Sequence, residues 1–456
     1  MAKKLSFKGG IHPPERKAAT TGSLIHRIAD PAQVVIPVNQ HFGPPNKPTV
    51  AAGDRVRRGD IIADGEGALN VPVHASIAGT VKKIEMRTQS NNTLGLCIVI
   101  ENDQTAEEAF MPPLDIETCS REEALARVRA AGIVGMGGAG FPAHVKFNPP
   151  PAKSIDLLIA NGCECEPYLT IDESTMIENA DAIVRGMYIT MKILGIKKGV
   201  IGIEDNKERA YCFLEQAVLQ VPRDYDISLA QLKTKYPQGG EKMLITAITG
   251  KEVPSGGFPM DVGCVVSNVG SLKAIAEAFD QGKPLVDRGL TVTGAACSTP
   301  GDKLVPIGTV LADLIPDVLD VNMEALRKII IGGPMMGSCV PDTNIPVQKN
   351  TSGAVFMDAK EAGNDVEGPC IRCGRCQKAC PCGLSPVLMN NALLVRELER
   401  AAEIGLMDCI ECGSCSFVCP AHIELVQRFR VGKQLLRNKR SAVVSMAASP
   451  HNKGSK

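Results

Sequence analysis

Cys370-x2-Cys373-x2-Cys376-x3-Cys380-Pro381 recurs further along the chain as Cys409-x2-Cys412-x2-Cys415-x3-Cys419-Pro420. Two-residue gaps let three thiolates of one loop converge on one face of an iron–sulfur cube. The fourth cysteine, beside proline, turns away to ligate the other cluster. The spacing therefore predicts one [4Fe–4S] cluster on Cys370, Cys373, Cys376 and Cys419, and a second on Cys409, Cys412, Cys415 and Cys380. A pair of zinc knuckles would need two cysteines per run and would leave the third and fourth of each without a role. Cys382 lies outside the repeat and reads as a bystander.

Working outward, the stretch between the two runs, 386–404, has helical spacing, so an α-helical two-cluster domain is expected over 356–440, with a basic, flexible tail at 441–456. From 421 to 456 there are eight Lys/Arg against the single Glu424. Ile423, Val426, Phe429 and Leu436 recur at roughly helical spacing among these charges, which predicts an amphipathic helix that docks on an acidic partner or an anionic surface.

At 456 residues the chain is long enough for several domains. Lys plus Arg equals Asp plus Glu at 50 each, so no net field draws it to nucleic acid. Seventeen cysteines, mostly single outside the two runs, suit a reducing compartment. No apolar run approaches the length of a membrane span, and the basic N-terminus has no apolar signal core, so any membrane association is expected to be peripheral.

Residues 1–115 read as β. Gly53-Asp54 and Gly59-Asp60 punctuate short apolar runs, and 71–81 alternates small polar with β-branched residues. This predicts a compact barrel or sandwich, similar to the biotinyl/lipoyl hairpin module. His74-Ala75-Ser76 stands where a carrier lysine would be, so the module is expected to be structural. His12, His41 and His74 lack the paired Cys or acidic spacing of a metal site.

The next unit, 116–285, alternates helix and strand: helices at 121–131, 177–194 and 207–218, strands at 155–160 and 199–203. That order predicts an α/β domain on a mostly parallel sheet. Three loops in it carry chemistry. Gly135-Met-Gly137-Gly138-Ala-Gly140-Phe141-Pro142 frees backbone N–H groups for an anion and allows a flat ring to approach. Asn161-Gly-Cys163-Glu164-Cys165-Glu166-Pro167 follows a strand, where open α/β sheets place ligands. Tyr236-Pro-Gln-Gly239-Gly240-Glu241 opens a helix, and Asn268 and Ser271 mark a further strand-to-helix junction. Residues 286–355 return to β plus a short helix, which fits a small β-grasp-like module with Met335 and Met336 as packing residues.

These motifs resemble the flavin- and nicotinamide-binding subunit of respiratory complex I. Over about 5–440 the whole chain resembles the C subunits of Rnf complexes, the ion-translocating ferredoxin:NAD oxidoreductases. Gly9-Gly10-Ile11-His12-Pro13-Pro14-Glu15, Gln40-His41 with Gly43 and Pro44, the glycine loop, the Cys-Glu-Cys-Glu-Pro-Tyr stretch and the tandem cysteine runs occur in that family's order. The resemblance implies a core of the complex I flavoprotein type, an N-terminal barrel-sandwich, an SLBB-type β-grasp and a two-cluster ferredoxin domain.

It implies FMN contacts at Gly135, Gly137, Gly138, Lys146, Asn161, Cys163, Glu164, Tyr236, Gly239, Glu241, Asn268 and Ser271, and nicotinamide contacts at Phe141 and Glu166. The chain departs from the complex I pattern at Gly240-Glu241, where that family has an acidic pair, and at Pro149, where it has an aromatic residue.

The chemistry coheres without the family. A nicotinamide yields two electrons as hydride and a cluster takes one, so a flavin must split the pair. Lys146 would neutralise a phosphate or a reduced flavin, and Glu164 and Glu166 would meet ribose hydroxyls or the carboxamide.

The expectation is an oxidoreductase subunit at the cytoplasmic face of the inner membrane, working between NAD(H) and a membrane complex that includes another cluster-bearing subunit. The rival readings are a flavin-linked cobalamin reductase, whose barrel module follows its clusters, and a cluster-only electron carrier or scaffold.

Overall fold

The computed structural model describes residues 5–315, 318–363 and 365–448, with side chains as far as 441. The last eight residues of the expected basic tail lie outside the described residues.

The N-terminal module is antiparallel throughout. One sheet pairs Gln33–Pro37, Leu94–Asn102, Gly79–Thr88 and Arg55–Val56, and a smaller one pairs Lys47–Pro48, Ile61–Asp64 and Val73–His74. Val34, Ile36, Ile62, Val81, Ile98 and Ile100 fill the space between them and are completely buried.

The α/β domain has four parallel strands in the order Asp226–Leu232, Lys198–Glu204, Leu157–Gly162, Cys264–Asn268. Its central strands are near-continuous apolar runs because helices cover them: Ala180–Leu194, Glu208–Val218 and Val269–Asp280 all contribute to the main core. Asp226–Leu232 is an edge strand of alternating exposure, which is why no apolar run announces it. The expected helix at 177–194 is two helices, Ile171–Glu178 and Ala180–Leu194, broken at Asn179.

The third unit is a six-stranded sheet in the order His26–Arg27, Gly301–Pro306, Asp287–Thr293, Gly353–Met357, Lys328–Ile331, Ser338–Val340. It is mixed: two of its pairings are parallel and three antiparallel. The mostly parallel sheet expected of the α/β domain is found in its four-stranded core sheet, while the described sheets taken together are mixed.

In the cysteine-rich unit the stretch between the runs is again two helices, Pro386–Leu394 and Leu398–Glu403, separated at Arg396 with its φ of 59°. The C-terminal helix, Leu425–Ala448, overturns the docking expectation. Val426, Phe429 and Leu436 are buried, and Val426 and Phe429 belong to this unit's own core. Its cations meet carboxylates of the same chain: Arg428 with Glu367, Lys433 and Arg430 with Glu411, Arg440 with Glu399. An amphipathic repeat specifies a buried face without saying whether its cover lies in the same chain.

One side chain ties three units together. Lys349 is fully buried, and its Nζ donates to the carbonyls of Pro72, at 2.9 Å, and Gly132, at 2.7 Å, while its backbone N–H donates to Gln40 Oε1. Burial pushes its amine down to about 7. Replacing Lys349 with methionine keeps the volume and leaves both carbonyls unpaired, at a cost on the order of 2 kcal/mol. Denaturant unfolding should show an earlier midpoint, and an unchanged midpoint would remove Lys349 from this role.

Candidate functional site

The carboxyl ends of parallel strands are where an open α/β sheet leaves room for a ligand, and the motif loops meet there. The glycine loop is pinched at its neck by the Val134–Pro142 bridge and by Gly135 N–H donating to the Phe141 carbonyl at 2.9 Å. Ser271, in the first turn of Val269–Asp280, holds it to the sheet: its Oγ accepts from Met136 N–H and donates to the Val134 carbonyl, both at 3.0 Å. Asn268 caps that helix, its Oδ1 accepting from Gly270 N–H at 2.9 Å.

Gly137 and Gly138 are exposed at the loop's crest. A Cβ at Gly137 would press on the Asn268 side chain at 3.1 Å, whereas one at Gly138 would meet nothing within 4 Å. The crest is an open cradle of the kind a flat, anionic cofactor needs, and the neighbouring residues fit one.

The other two loops close on each other. Asn161 Nδ2 donates to the Gly239 carbonyl at 2.8 Å, and Gly239 N–H donates to Cys165 Sγ at 3.3 Å. Any Cβ on Gly239 would lie 2.1 Å from the Cys163 carbonyl oxygen, so only glycine allows this approach. Lys146 Nζ is held by Glu241 at 2.9 Å and by the Val266 carbonyl at 3.0 Å. Phe141 stacks on the exposed Phe42 of the barrel module, with ring centroids 5.9 Å apart. Gly135, Gly137, Gly138, Lys146, Asn161, Cys163, Tyr236, Gly239, Glu241, Asn268 and Ser271 are therefore brought to one end of the sheet.

The two carboxylates assigned to ribose or carboxamide are both engaged by the protein. Glu164 caps the helix Ile171–Glu178, accepting from Asp172 N–H at 2.8 Å, and burial pushes its carboxyl up to about 8. Glu166 accepts from the N–H groups of Met335, at 3.0 Å, and Met336, at 2.9 Å; burial raises it to about 7 against the pull of those amides. Met335 packs, as expected, against the buried cluster of Ile11, Tyr236, Ala379 and Cys412, whereas Met336 is exposed; both also serve through their backbones.

Sequence reasoning missed the charged neighbours. Lys17 donates to the Glu164 carbonyl, Asp172 accepts from Asn268 Nδ2, and Arg288 donates to the Met136 carbonyl at 3.2 Å. Lys17, Glu164, Glu204, Lys235 and Tyr236 line a cavity of about 190 Å³ under the N-terminal arm. Lys17, Asp172 and Arg288 lie far in sequence from these partners, and no local spacing marks them.

In the cysteine-rich unit, Cys380, Cys409, Cys412 and Cys415 line a single small void. The Cys376 thiol instead has Cys373 and Cys419 as its thiol neighbours. Cys370 and Cys373 are exposed, while Cys412 and Cys415 are buried. Among the described residues no three His, Cys, Asp or Glu converge on a point that would hold one metal ion; four thiols around a void are a donor set for something larger. Cys382, read as a bystander, is on the wall of the same void.

Glu166 gives a pH test. A carboxyl raised from 4.5 to about 7 holds a proton in the fold that the unfolded chain has released, so its contribution to stability declines as pH rises across that window. Glu166→Gln removes this slope, and the stability of the variant relative to the parent should rise between pH 4.5 and 7. Parallel stability curves would contradict it.

The chain is similar to known proteins along most of its length. Residues 5–105 match the RnfC barrel sandwich hybrid domain, 128–277 the Nuo51 FMN-binding domain, and 362–437 a 4Fe-4S dicluster domain. The C subunit of the proton-translocating ferredoxin:NAD(+) oxidoreductase complex from Clostridium ljungdahlii is 44% identical over 93% of both chains. The corresponding component of an Na(+)-translocating complex from Acetobacterium woodii is 42% identical over 94% of this chain and 96% of its own. The C subunit of the ion-translocating oxidoreductase complex from Rhodobacter capsulatus is 39% identical over 96% and 84%. An NAD+-reducing [NiFe]-hydrogenase in the air-oxidised state shares the fold over 69% of this chain and 63% of its own, with TM-score 0.51 at 19% identity. The chain belongs to the family of Rnf complex C subunits.

Proposed function

We propose that the chain is the FMN- and NAD(H)-binding subunit of an ion-translocating ferredoxin:NAD oxidoreductase complex. It exchanges hydride between NAD(H) and FMN and relays single electrons through two [4Fe–4S] clusters to its membrane partners, bound peripherally at the cytoplasmic face. The bound flavin would supply the two-electron to one-electron conversion.

The observation that carries this reading is a contact between the two halves of the site. Tyr236, at the head of the third loop, donates its hydroxyl to the Cys412 carbonyl at 2.6 Å. Ile11, Tyr236, Ala379 and Cys412 form one buried cluster around that bond. The flavin-side loop therefore sits directly on the Cys409 run, and the exposed Cys370 run faces outward, toward a partner. Lys146 and the glycine-loop amides would hold the cofactor's phosphate and ring, and Phe141 with Phe42 would offer a ring surface for the nicotinamide nucleotide. No described helix is long and apolar enough to cross a membrane, so attachment would come through partner subunits.

Flavin and iron analysis of the isolated chain, with an NADH bleaching trace, tests the proposal. A yellow-brown protein that bleaches with NADH is expected, and a brown one indifferent to NADH would leave only a cluster carrier. Gly138→Val separates the two halves. Its side chain points into open space, so the fold should persist while flavin is lost and iron stays at about eight per chain. Full flavin occupancy in that variant would remove the loop from the site.

A further inference from the structure

The void lined by Cys380, Cys409, Cys412 and Cys415 has a fifth thiol, Cys382, and no acidic, basic or imidazole side chain on its wall. A cube of four irons takes four thiolates, so one of the five is in excess. Cys382 stands outside the repeat, and between it and Cys380, its neighbour on the same loop, hydrogen bonds point the same way. Cys380 Sγ accepts from Leu384 N–H and Cys409 Sγ from Glu411 N–H, each at 3.4 Å, and N–H donors of this kind favour the thiolate. Among the described residues no hydrogen bond reaches Cys382 Sγ. Cys380 and Cys382 flank Pro381 on one short loop ending at Gly383, whose φ of +66° gives the chain a turn there. Both thiols lie on this one loop, which packs against Gly9 and Gly10 of the N-terminal arm, so exchange of one for the other is a movement of the loop against that arm.

We propose that Cys382 is a reserve ligand of the cluster held by the Cys409 run, taking the iron corner that Cys380 vacates. In the exchange the Cys382 S–H bond breaks and its sulfur bonds the iron. The bond from Cys380 sulfur to that iron breaks, and the displaced sulfur takes up a proton, with no change in electron count. Among the described residues the other run shows no such spare. The thiol neighbours of Cys376 are Cys373 and Cys419, both already in the repeat. The two clusters therefore differ in their tolerance of ligand loss, although their motifs are identical in spacing.

The inference rests on the cluster reading above, and the test separates the two. Iron, acid-labile sulfide and flavin are measured on the full chain carrying Cys380→Ala, Cys382→Ala, both, or Cys419→Ala, with EPR of the reduced proteins. The parent and both single loop variants should hold about eight irons, and the double variant and Cys419→Ala about four. Cys380→Ala should also show altered EPR features for one cluster, as its ligand loop has changed.

A fall to about four irons in Cys380→Ala with flavin retained, or about eight in the double variant, overturns the reserve role. Cys380→Val, with and without Cys382→Ala, repeats the comparison with a side chain that fills the space and cannot ligate iron. A parent chain with fewer than about eight irons overturns the cluster reading itself.

Discussion

Tyr236 is held from two sides, and the arrangement of the site depends on it. Its backbone pairs with Ile11 in both directions, at 2.8 and 2.9 Å, and its hydroxyl reaches the Cys412 carbonyl. The ring is buried, so losing this bond would leave a buried polar group short of a partner, which is costly. Through this side chain the N-terminal arm, the α/β core and the cysteine-rich unit share one seam. The seam fixes the loop that begins at Tyr236 against the Cys409 run.

The charges beneath the site follow a second constraint. Lys207 and Glu173 form a buried pair, and Lys17, Glu164 and Glu204 lie close by. Buried charges are costly unless paired, and removing one partner is far worse than never having either. Such a cluster adds little net stability, but it fixes the Asn161–Pro167 loop in one position, which a cofactor site requires.

What can be read from the chain divides by distance. The cysteine runs, the glycine loop and the parallel strands are local patterns: a spacing of two, a cluster of flexible residues, a continuous apolar run. The contacts that assemble them are not local. Glu166 meets Met335, Lys349 meets Pro72 and Gly132, and Phe42 reaches Phe141 from another unit, so no window of sequence contains both halves. The C-terminal helix shows a different failure. Its amphipathic pattern is legible, yet a face that packs on Met389 and Ala401 looks the same in sequence as one that docks elsewhere. Cys382 is hidden by register, since it lies outside the repeat, although proximity to a void decides whether a thiol can be a ligand.

The most direct test of the central claim, that the flavin loop abuts the Cys409-run cluster and the other cluster lies beyond it, is stopped-flow bleaching of iron–sulfur absorbance by NADH in two cluster-deficient chains. With Cys419→Ala, the cluster that remains is the one beside Tyr236, and it should still bleach as fast as in the parent. With Cys415→Ala, the remaining cluster is the exposed one, and its bleaching should be markedly slowed although flavin is reduced normally. Equal rates in the two variants, or slowing in Cys419→Ala alone, would contradict the account.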